Sequence, residues 1–418
     1  MGLHEEMKAL AEKAKAASPL LAAASASRKN DALKAIAESL KENEAEIIKA
    51  NKKDVGAAKK NNKAGAFIDR LTLDHGRISG MAEGLGHMIR LDDPVGIVLE
   101  RRKLRSGILL EKLAVPIGVV LMIFEARPNI VIDAGALCLK SGNAAILKGG
   151  SDAMETNKAL IRIVRKGLEQ AGLPQDAAVL VESADHAAIS SLLRMDEQID
   201  LVIPRGGEGL IRSVVEKSTI PVIKHYKGLC HTYVDKDADL EMASAICVNA
   251  KTQRPGVCNA METLLVHHDI AEDFLKKAGP VLKEKGVEIK GCQETCRILG
   301  WAKAATEDDY RTEWLDLKMA VKIVRDIDEA IEHIATHGSG HSEAIITENR
   351  ASAERFLKKV DASAVFHNAS TRFNDGFEFG LGAEIGISTQ KIHARGPMGL
   401  RELTSYKYVL KGSGQVRE

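Results

Sequence analysis

The sequence predicts an α/β fold made of two doubly wound halves, together with a small β-ribbon. Short apolar runs, typical of strands buried on both faces, alternate with segments of helical periodicity, and this alternation occurs twice along the 418 residues. Hydrophobic residues make up 45% of the chain and aromatic residues only 4%, so the cores must be built from aliphatic side chains. Two runs on either side of a glycine turn predict the ribbon.

The charge balance and the termini exclude several classes of protein. Lys and Arg total 59 against 58 Asp and Glu, and a net charge of +1 leaves no basic footprint for nucleic acid. No run of about 18 apolar residues predicts a membrane helix, and the acidic amino terminus lacks the apolar core of a secretory signal. Six cysteines in so long a chain do not form a disulfide framework. We expect a soluble protein of the reducing cytoplasm.

The chain opens with amphipathic helices up to about residue 62, where apolar residues recur at helical spacing. Two runs, 95–102 and 108–113, then flank the glycine turn at 105–107 and predict a two-stranded ribbon. Because a lone ribbon is marginal in water, it must pack on something else.

The two α/β halves follow the ribbon. The first has predicted strands at 119–124, 144–147, 179–181 and 201–203, with helices at 130–139, 152–170 and about 187–193. The second has predicted strands at 264–266, 320–324 and 344–346, each followed by a helix, at 270–285, 327–335 and 351–360. The final run, 403–410, alternates like an exposed strand, which pairs either with the ribbon or with another subunit.

One cysteine stands out by its surroundings. Pro255 and Gly256 force a turn immediately before Cys258, and the run 264–266 after it predicts a short buried strand. A thiol on a tight loop between ordered elements is suited to act as a nucleophile, because its rigid neighbours fix its direction. The alternative is that Cys258 is a small buried hydrophobe, the usual state of a free cysteine. If the two halves meet near this loop, the thiol lies in a cleft.

A glycine-rich turn lies at 205–209, where a predicted strand ends and a helix begins. Glycines at such a turn let backbone N–H groups approach a phosphate or a cofactor ring. The pattern is GGxG and not the GxGxxG of dinucleotide-binding proteins, so an ordinary tight turn is the alternative interpretation.

Taken together, several motifs resemble those of the aldehyde dehydrogenase superfamily, in the same order and at similar separations. They are the stretch 141–148, the turn 205–209, the Cys258 loop and Glu313. Longer motifs are similar to those of the γ-glutamyl phosphate reductases, also called glutamate-5-semialdehyde dehydrogenases. These are the stretches 124–129, 254–259 and 324–345. The resemblance covers nearly the whole chain.

The resemblance implies an aldehyde dehydrogenase-like fold in which each domain has its own function. Residues 1–96 and 114–230 form the cofactor-binding domain, 231–398 the catalytic domain, and 97–113 with 399–418 an oligomerisation ribbon. The implied reaction is the NADPH-dependent reduction of L-glutamyl 5-phosphate to L-glutamate 5-semialdehyde and phosphate, the second step of proline biosynthesis, through a cysteine thioester. The implied assembly is a homo-oligomer, either a dimer or a tetramer, and glutamate 5-kinase is the implied partner.

Two other readings of the resemblance stay open. The chain could share the fold and act on another acyl phosphate or semialdehyde, or it could be a non-catalytic relative that serves as a binding protein. The joint presence of Cys258, Lys148 and Glu313 argues against the second of these.

The resemblance also implies roles for individual residues. Cys258 is the nucleophile, and its backbone N–H and the Asn129 side chain are the candidate oxyanion donors, although Asn129 also suits a turn after Pro128. An acid at position 151 would repel the 2′-phosphate of NADP, and this chain has Ser151 there. The candidate cofactor-binding residues are Lys148, Ser151, Gly206, Gly207 and Glu313.

The substrate implied by the resemblance carries a carboxylate and a phosphate, which planar guanidinium groups bind well. The candidate substrate-binding residues are Arg127, Arg205, Arg254 and His341, each of which could equally form a structural ion pair. We find no group of His, Cys and carboxylate residues that suggests a catalytic metal, so no metal is expected.

One departure from the superfamily concerns the base that hydrolytic members use to activate water. They carry a glutamate upstream of the cysteine, whereas the corresponding region here, 222–228, has no carboxylate. Its loss favours acyl phosphate chemistry, because a base that activates water would hydrolyse the thioester. His225 in this region is either a proton carrier or part of a basic surface cluster, and the sequence favours neither.

Overall fold

The computed structural model describes residues 2–417. The chain divides into two compact units. The first comprises the chain up to Lys224, Leu381–Gly386 and the residues from Met398 onwards, and the second comprises His225–Gly380 and Ile387–Pro397. Within residues 2–417, no helix combines the length and the apolarity needed to cross a bilayer.

The first unit opens with helices, as predicted. Leu33, Ile36, Leu40 and Ile47 are buried, so helical spacing did identify the face that packs inwards. Helix α2 begins after Ser25, whose hydroxyl accepts the Arg28 N–H as an N-cap. The five helices are α1 (Leu3–Ala22), α2 (Ala26–Glu42), α3 (Glu44–Lys60), α4 (Gly65–Leu71) and α5 (His75–Arg90).

The sheet of the first unit is parallel and four-stranded. Two antiparallel strands, β1 (Val98–Lys103) and β2 (Leu109–Pro116), precede it. Its strands and helices then alternate: β3 (Val119–Phe124), α6 (Ile130–Lys140), β4 (Ala144–Gly149), α7 (Met154–Gln170), β5 (Ala178–Leu180), α8 (His186–Leu192), β6 (Leu201–Arg205) and α9 (Glu208–Lys217). Every residue of β3 and β4 is buried, which is why both strands show as continuous apolar runs.

The strand order creates a switch point beside β3. The order is β5–β4–β3–β6, so the chain moves from β3 to one side of the sheet and later returns to place β6 on the other side. At the carboxyl edge Phe124 lies opposite both Gly149 of β4 and Arg205 of β6. In open α/β sheets, ligands bind outside the carboxyl ends of strands at such a point.

The second unit contains a seven-stranded parallel sheet in the order β10–β9–β11–β8–β7–β12–β13. Its elements are β7 (Cys230–Val234), α10 (Leu240–Thr252), β8 (Met261–His267), α11 (Ala271–Glu284), β9 (Glu288–Gly291), α12 (Gln293–Leu299), β10 (Lys303–Ala304), β11 (Lys318–Val324), α13 (Ile327–His337), β12 (Ser342–Ile346), α14 (Arg350–Lys359) and β13 (Ala364–His367). The predicted parallel α/β character of both halves is confirmed.

The remaining strands settle where the carboxy-terminal run pairs. Two short strands, β14 (Gly386–Ser388) and β15 (Gly396–Met398), form a separate two-stranded sheet. The last strand, β16 (Thr404–Lys411), runs antiparallel to β2 of the same chain along its whole length. Of the two alternatives for the final run, pairing with the ribbon is therefore the observed one, and the ribbon becomes a three-stranded sheet.

Candidate active site

Cys258 lies in the second unit, on the loop that joins α10 to β8. A buried ion pair closes this loop at its base, where Lys251 Nζ lies 2.8 Å from Glu262 Oε2 and neither side chain is exposed. Burial lowers the pKa of Lys251 and raises the pKa of Glu262 to about 7, so each group is held in an environment that disfavours its charge. The pair fixes the two ends of the loop relative to each other.

The backbone of Cys258 is held by a close contact with Gly228. A Cβ on Gly228 would lie 2.0 Å from the Cys258 carbonyl oxygen, so only glycine allows this approach. The Cys230 thiol donates to the same carbonyl at 3.1 Å. Within residues 2–417, no acceptor takes the Cys258 backbone N–H, which is thus available as an oxyanion donor.

The thiol of Cys258 differs in exposure from the structural cysteines of the chain. Cys138, Cys230 and Cys247 are buried, and burial raises the pKa of each thiol, to about 12 for Cys138. Cys258 is only half-buried. All six cysteines are free, as expected. The exposure of Cys258 favours a reactive thiol over a small core hydrophobe.

Two imidazoles flank the thiol. Nitrogen atoms of His225 and His341 and the Cys258 sulfur all lie within 4.8 Å of one another, and the two rings meet edge to face at 5.5 Å. His225 Nδ1 lies 2.8 Å from the Ile387 carbonyl oxygen, which can only accept, so Nδ1 carries the proton and Nε2 is the basic nitrogen. This geometry favours the proton-carrier interpretation of His225 over that of a surface cluster.

This group of three residues was not found from the sequence. Their separations in sequence are long and irregular, so only the fold brings them together. The same atoms that would move protons are also potential metal ligands.

His341 was predicted as a substrate-binding residue, and the fold fixes it firmly beside Cys258. It is fully buried, and its Nδ1 lies 2.8 Å from the Ser342 hydroxyl, which in turn accepts from the Asn374 amide at 2.8 Å. Sequence reasoning missed Asn374. No local signal marks it, because its partners lie more than thirty residues earlier in the chain.

Glu313 lies close to the same loop. Its carboxylate accepts the Gly228 N–H at 2.8 Å, and the neighbouring Leu315 donates its N–H to Glu262 at 3.2 Å. Glu313 is therefore linked to the residue that packs against Cys258 and, through Leu315, to the buried ion pair. This position agrees with a site residue rather than with an isolated surface acid.

Arg254 is exposed and lies in the Cys258 loop, four residues before the cysteine. The guanidinium of Arg372 also contacts this loop. Its Nε donates to Gln253 Oε1 at 2.8 Å and its Nη1 donates to Asn259 Oδ1. Arg372 was not identified from the sequence, because it follows Cys258 by more than a hundred residues in an irregular segment.

The first unit holds the remaining candidates, beginning with Lys148 near the carboxyl end of β4. Lys148 is buried and donates to the Gly149 carbonyl at 2.8 Å, and burial lowers the pKa of its ammonium group. Ser151 is exposed and starts a short 3-10 helix directly after this strand. Both residues therefore lie at the carboxyl edge of the sheet.

The glycine turn after β6 lies on the other side of β3. A Cβ on Gly206 would lie 2.6 Å from the Leu210 side chain and 2.8 Å from the Glu125 carboxyl carbon, whereas nothing lies within 4 Å of one on Gly207. The Gly207 N–H donates to Glu125 Oε2 at 3.3 Å. The Glu125 carboxylate therefore lies at the start of α9, where the partial positive charge of a helix N-terminus favours an anion.

The other predicted residues of the first unit have local roles. Asn129 precedes α6, and its side-chain amide donates at 2.8 Å to Asp133, a carboxyl whose pKa burial raises to about 6. Arg205 packs its guanidinium against the backbone of Gly386. Arg127 is exposed and donates its backbone N–H to the Glu125 carbonyl at 2.7 Å.

The structure thus sorts the predicted residues into two groups. Cys258, Arg254, His341 and Glu313 belong to the second unit and surround one loop. Lys148, Ser151, Gly206, Gly207, Arg205, Arg127 and Asn129 belong to the first unit and lie on or just after strands β3, β4 and β6.

Comparisons with known proteins identify the family of the chain. The model of the aldehyde dehydrogenase family matches residues 2–290. The chain is 54% identical over 413 residues to a γ-glutamyl phosphate reductase of Carboxydothermus hydrogenoformans, covering 99% of this chain and 100% of that one. It is 50% identical to the enzyme of the same name from Moorella thermoacetica over the full length of both.

Solved structures give the same result. The crystal structure of γ-glutamyl phosphate reductase from Thermotoga maritima superposes with a TM-score of 0.97 at 46% identity, over 99% of this chain and 100% of that one. An acetylating aldehyde dehydrogenase from Geobacillus thermoglucosidasius, with 18% identity and a TM-score of 0.69 over 100% and 98% of the two chains, shares the fold. The predicted aldehyde dehydrogenase-like fold is confirmed.

Fold, site and sequence together define an oxidoreductase of the aldehyde dehydrogenase family, which uses NAD or NADP as cofactor. Within that family the chain belongs to the γ-glutamyl phosphate reductases.

Proposed function

We propose that this chain reduces L-glutamyl 5-phosphate to L-glutamate 5-semialdehyde with NADPH, through a thioester on Cys258. The observation that carries the proposal is the half-exposed Cys258 thiol on a rigid loop, flanked by the imidazoles of His225 and His341. The names of the relatives support the substrate. The absence of a carboxylate from 222–228 supports a thioester that is protected from hydrolysis.

In the acylation step, His225 Nε2 takes the thiol proton and the Cys258 sulfur attacks the carbonyl carbon of the acyl phosphate. A C–S bond forms, and the bond between the acyl carbon and the bridging oxygen of the phosphate breaks. Inorganic phosphate leaves with the electron pair of that bond. The Cys258 backbone N–H stabilises the oxyanion, and Asn129 is the proposed second donor. Sulfur suits both halves of the reaction because it is a strong nucleophile and a good leaving group.

The carboxyl edge of the first sheet fits a dinucleotide. The switch point beside β3, the open space at Gly207 and the exposed start of the segment after β4 provide room for phosphates near backbone N–H groups. Lys148, Ser151, Gly206 and Gly207 would hold the cofactor there, and Glu313 would contact a ribose. When bound, NADPH supplies the hydride that converts the thioester into the aldehyde. Ser151 in place of an acid supports NADP over NAD.

The remaining assignments follow from the same proposal. The first unit with its switch point is the cofactor-binding domain, and the second unit with Cys258 is the catalytic domain. The three-stranded sheet of β1, β2 and β16 exposes Tyr406, Tyr408 and Leu410, which supports its role as the oligomerisation element of a homo-oligomer.

The proposed substrate contacts are Arg127, Arg205, Arg254 and His341. The cytoplasm is the proposed compartment, and glutamate 5-kinase the proposed partner.

The experiment that tests the proposal is the rate of NADP reduction with glutamate semialdehyde and phosphate, compared with other aldehydes. We expect turnover with NADP above NAD, and a loss of at least about 1,000-fold in Cys258→Ala without loss of the fold. Cys292→Ala, which changes another half-buried cysteine of the same unit, is the matched control and retains activity. Near-normal turnover of Cys258→Ala would remove the mechanism, and no turnover of glutamate semialdehyde would remove the substrate.

A further inference from the structure

The guanidinium group of Arg372 contacts the Cys258 loop on both sides of the cysteine. It lies in a short 3-10 helix (Thr371–Phe373), where its Nε donates to Gln253 at 2.8 Å and its Nη1 donates to Asn259. Gln253 precedes Cys258 and Asn259 follows it directly. The planar fork of an arginine can therefore set the spacing of the two sides of the loop.

Further hydrogen bonds join this segment to the loop. The Asn259 amide donates to the carbonyl of Asn374 at 3.0 Å, and the Thr371 hydroxyl donates to the carbonyl of Asn259 at 2.8 Å. Asn259 and Thr371 are both buried. The position of the Arg372 guanidinium relative to the loop is thus fixed by several independent contacts.

The charge of Arg372 has no carboxylate partner at ion-pair distance among residues 2–417. Burial lowers the pKa of its half-buried guanidinium and the charge of Arg254 lowers it further, whereas the charges of Asp375 and Cys258 raise it. Two cations therefore belong to or contact the Cys258 loop, because Arg372 donates to Gln253 and Asn259 and Arg254 is an exposed residue of the loop itself. Arg372 uses two of its N–H groups on the loop, and a guanidinium carries about five.

We infer that Arg372, together with Arg254 of the same loop, forms an anion site that binds the phosphate group of the acyl phosphate next to Cys258. The inference rests on the proposed function for the identity of the substrate. The phosphate is bonded to the acyl group that the sulfur attacks, whereas the α-carboxylate lies at the far end of the glutamyl chain. An anion site built into the nucleophile loop therefore meets the phosphate first. Its guanidinium neutralises the charge of the phosphate as it leaves.

The anion site can be tested without turnover, by alkylating Cys258 and following the modified peptide by mass spectrometry. A cationic site speeds the reaction with anionic iodoacetate relative to neutral iodoacetamide. We expect this rate ratio to fall about tenfold in Arg372→Gln. Inorganic phosphate should protect the wild-type thiol and fail to protect the variant. Arg350→Gln, at an exposed arginine on a helix of the same unit, is the matched control and should behave as wild type.

When the reaction is run from semialdehyde and phosphate to acyl phosphate, phosphate and the semialdehyde are separate substrates. Their KM values then report separately on the binding of the phosphate and of the α-carboxylate. We expect Arg372→Gln to raise the KM for phosphate at least about tenfold and to leave the KM for the semialdehyde unchanged. Arg372→Lys retains the charge and should recover part of the phosphate affinity. A raised KM for the semialdehyde alone would assign the guanidinium to the carboxylate and overturn the inference.

Two outcomes keep this inference separate from the proposed function and from misfolding. If phosphate fails to protect Cys258 of the wild-type protein, no anion site exists and the inference fails, whatever the variants do. If phosphate protects but glutamate semialdehyde is not turned over, the anion site stands and the proposed substrate fails. Thermal unfolding of Arg372→Gln and Arg372→Lys identifies any loss of fold before the rates are compared.

Discussion

The thiol of Cys258 faces two imidazoles that are held in different ways. His341 is fixed in the interior by Ser342, whereas His225 is half-buried and has its Nδ1 proton committed to a carbonyl. That hydrogen bond leaves His225 Nε2 as the only basic nitrogen of its neutral ring. His225 is therefore the better candidate to accept the thiol proton before acylation.

Replacing His225 by Gln should slow the alkylation of Cys258 by iodoacetamide at neutral pH by about 100-fold, the lower range for removal of a general base. The rate should recover as the pH is raised, because hydroxide then removes the thiol proton. His268→Gln, at an exposed histidine of the same unit, is the control. An unchanged rate at neutral pH in His225→Gln would exclude His225 as the base.

Individual residues were predictable from the sequence only where a local signal existed. Pro255 and Gly256 mark a turn, and this signal led to Cys258. Arg372 and Asn374 belong to the same site, but their partners in the Cys258 loop and in β12 lie far away in sequence, and no periodicity or turn pattern marks them. His225 was left undecided because proximity to the thiol is a property of the fold.

Between helix α10 and strand β8, a buried ion pair replaces apolar packing at the base of the nucleophile loop. Lys251 and Glu262 have no exposed surface, and Glu262 also accepts the N–H of Leu315. Because removal of one partner leaves an unpaired charge in the interior, single substitutions should be far more costly than the joint replacement of both.

Lys251→Met should lower the free energy of unfolding by about 3–5 kcal/mol, and Glu262→Leu by a similar amount. The double variant should recover most of that loss, because no uncompensated charge remains. Urea unfolding measures the four proteins side by side. Lys276→Ala, which removes an exposed ion pair with Glu272, should leave the unfolding midpoint unchanged. A double variant as unstable as the sum of the singles would contradict this account of the pair.

Whole elements were predicted best where burial is uniform. Strand β3 is apolar throughout and was identified with its observed bounds. Strand β7 was missed because it contains His231 and Thr232, which are buried nonetheless. The backbone N–H of His231 donates to the carboxylate of Glu343 on β12, and His231 Nδ1 lies 2.9 Å from Glu343 Oε2. Because this pair across two neighbouring strands satisfies polar groups of both side chains, a polar residue can lie in the core.

Across the whole molecule, buried histidines make stability depend on pH. His333 lies against the rings of His231 and His337, at 5.5 and 4.4 Å between centroids, and is nearly inaccessible to solvent. Burial and the neighbouring imidazoles lower the pKa of His333 to about 2. The unfolded chain takes up a proton at this residue below about pH 6.5, and the folded chain does not, so stability falls as the pH drops.

His333→Phe should flatten this acid dependence. Between neutral pH and about pH 5.5, the wild type should lose about 1.2 kcal/mol more stability than the variant, the contribution of one histidine that cannot be protonated when folded. Urea unfolding at the two pH values gives the difference, in which any constant effect of the substitution cancels. Equal losses in the two proteins would mean that His333 is not held neutral.

The architecture as a whole followed from the alternation of apolar strands and helices, which both parallel sheets bear out. The partner of the carboxy-terminal strand could not be chosen in advance, because an alternating strand pairs equally well within a chain or between chains. The pairing of β16 with β2 depends on where the rest of the fold places the carboxy-terminal segment.

The most direct test of the account is the amount of NADPH formed when the enzyme is mixed with glutamate semialdehyde and NADP in the absence of phosphate. If Cys258 carries a thioester, we expect a burst of about one NADPH per chain, an enzyme heavier by one glutamyl group, and turnover only after phosphate is added. Cys258→Ala should give neither burst nor adduct. Steady turnover without phosphate, or a burst that survives in Cys258→Ala, would contradict a thioester at Cys258.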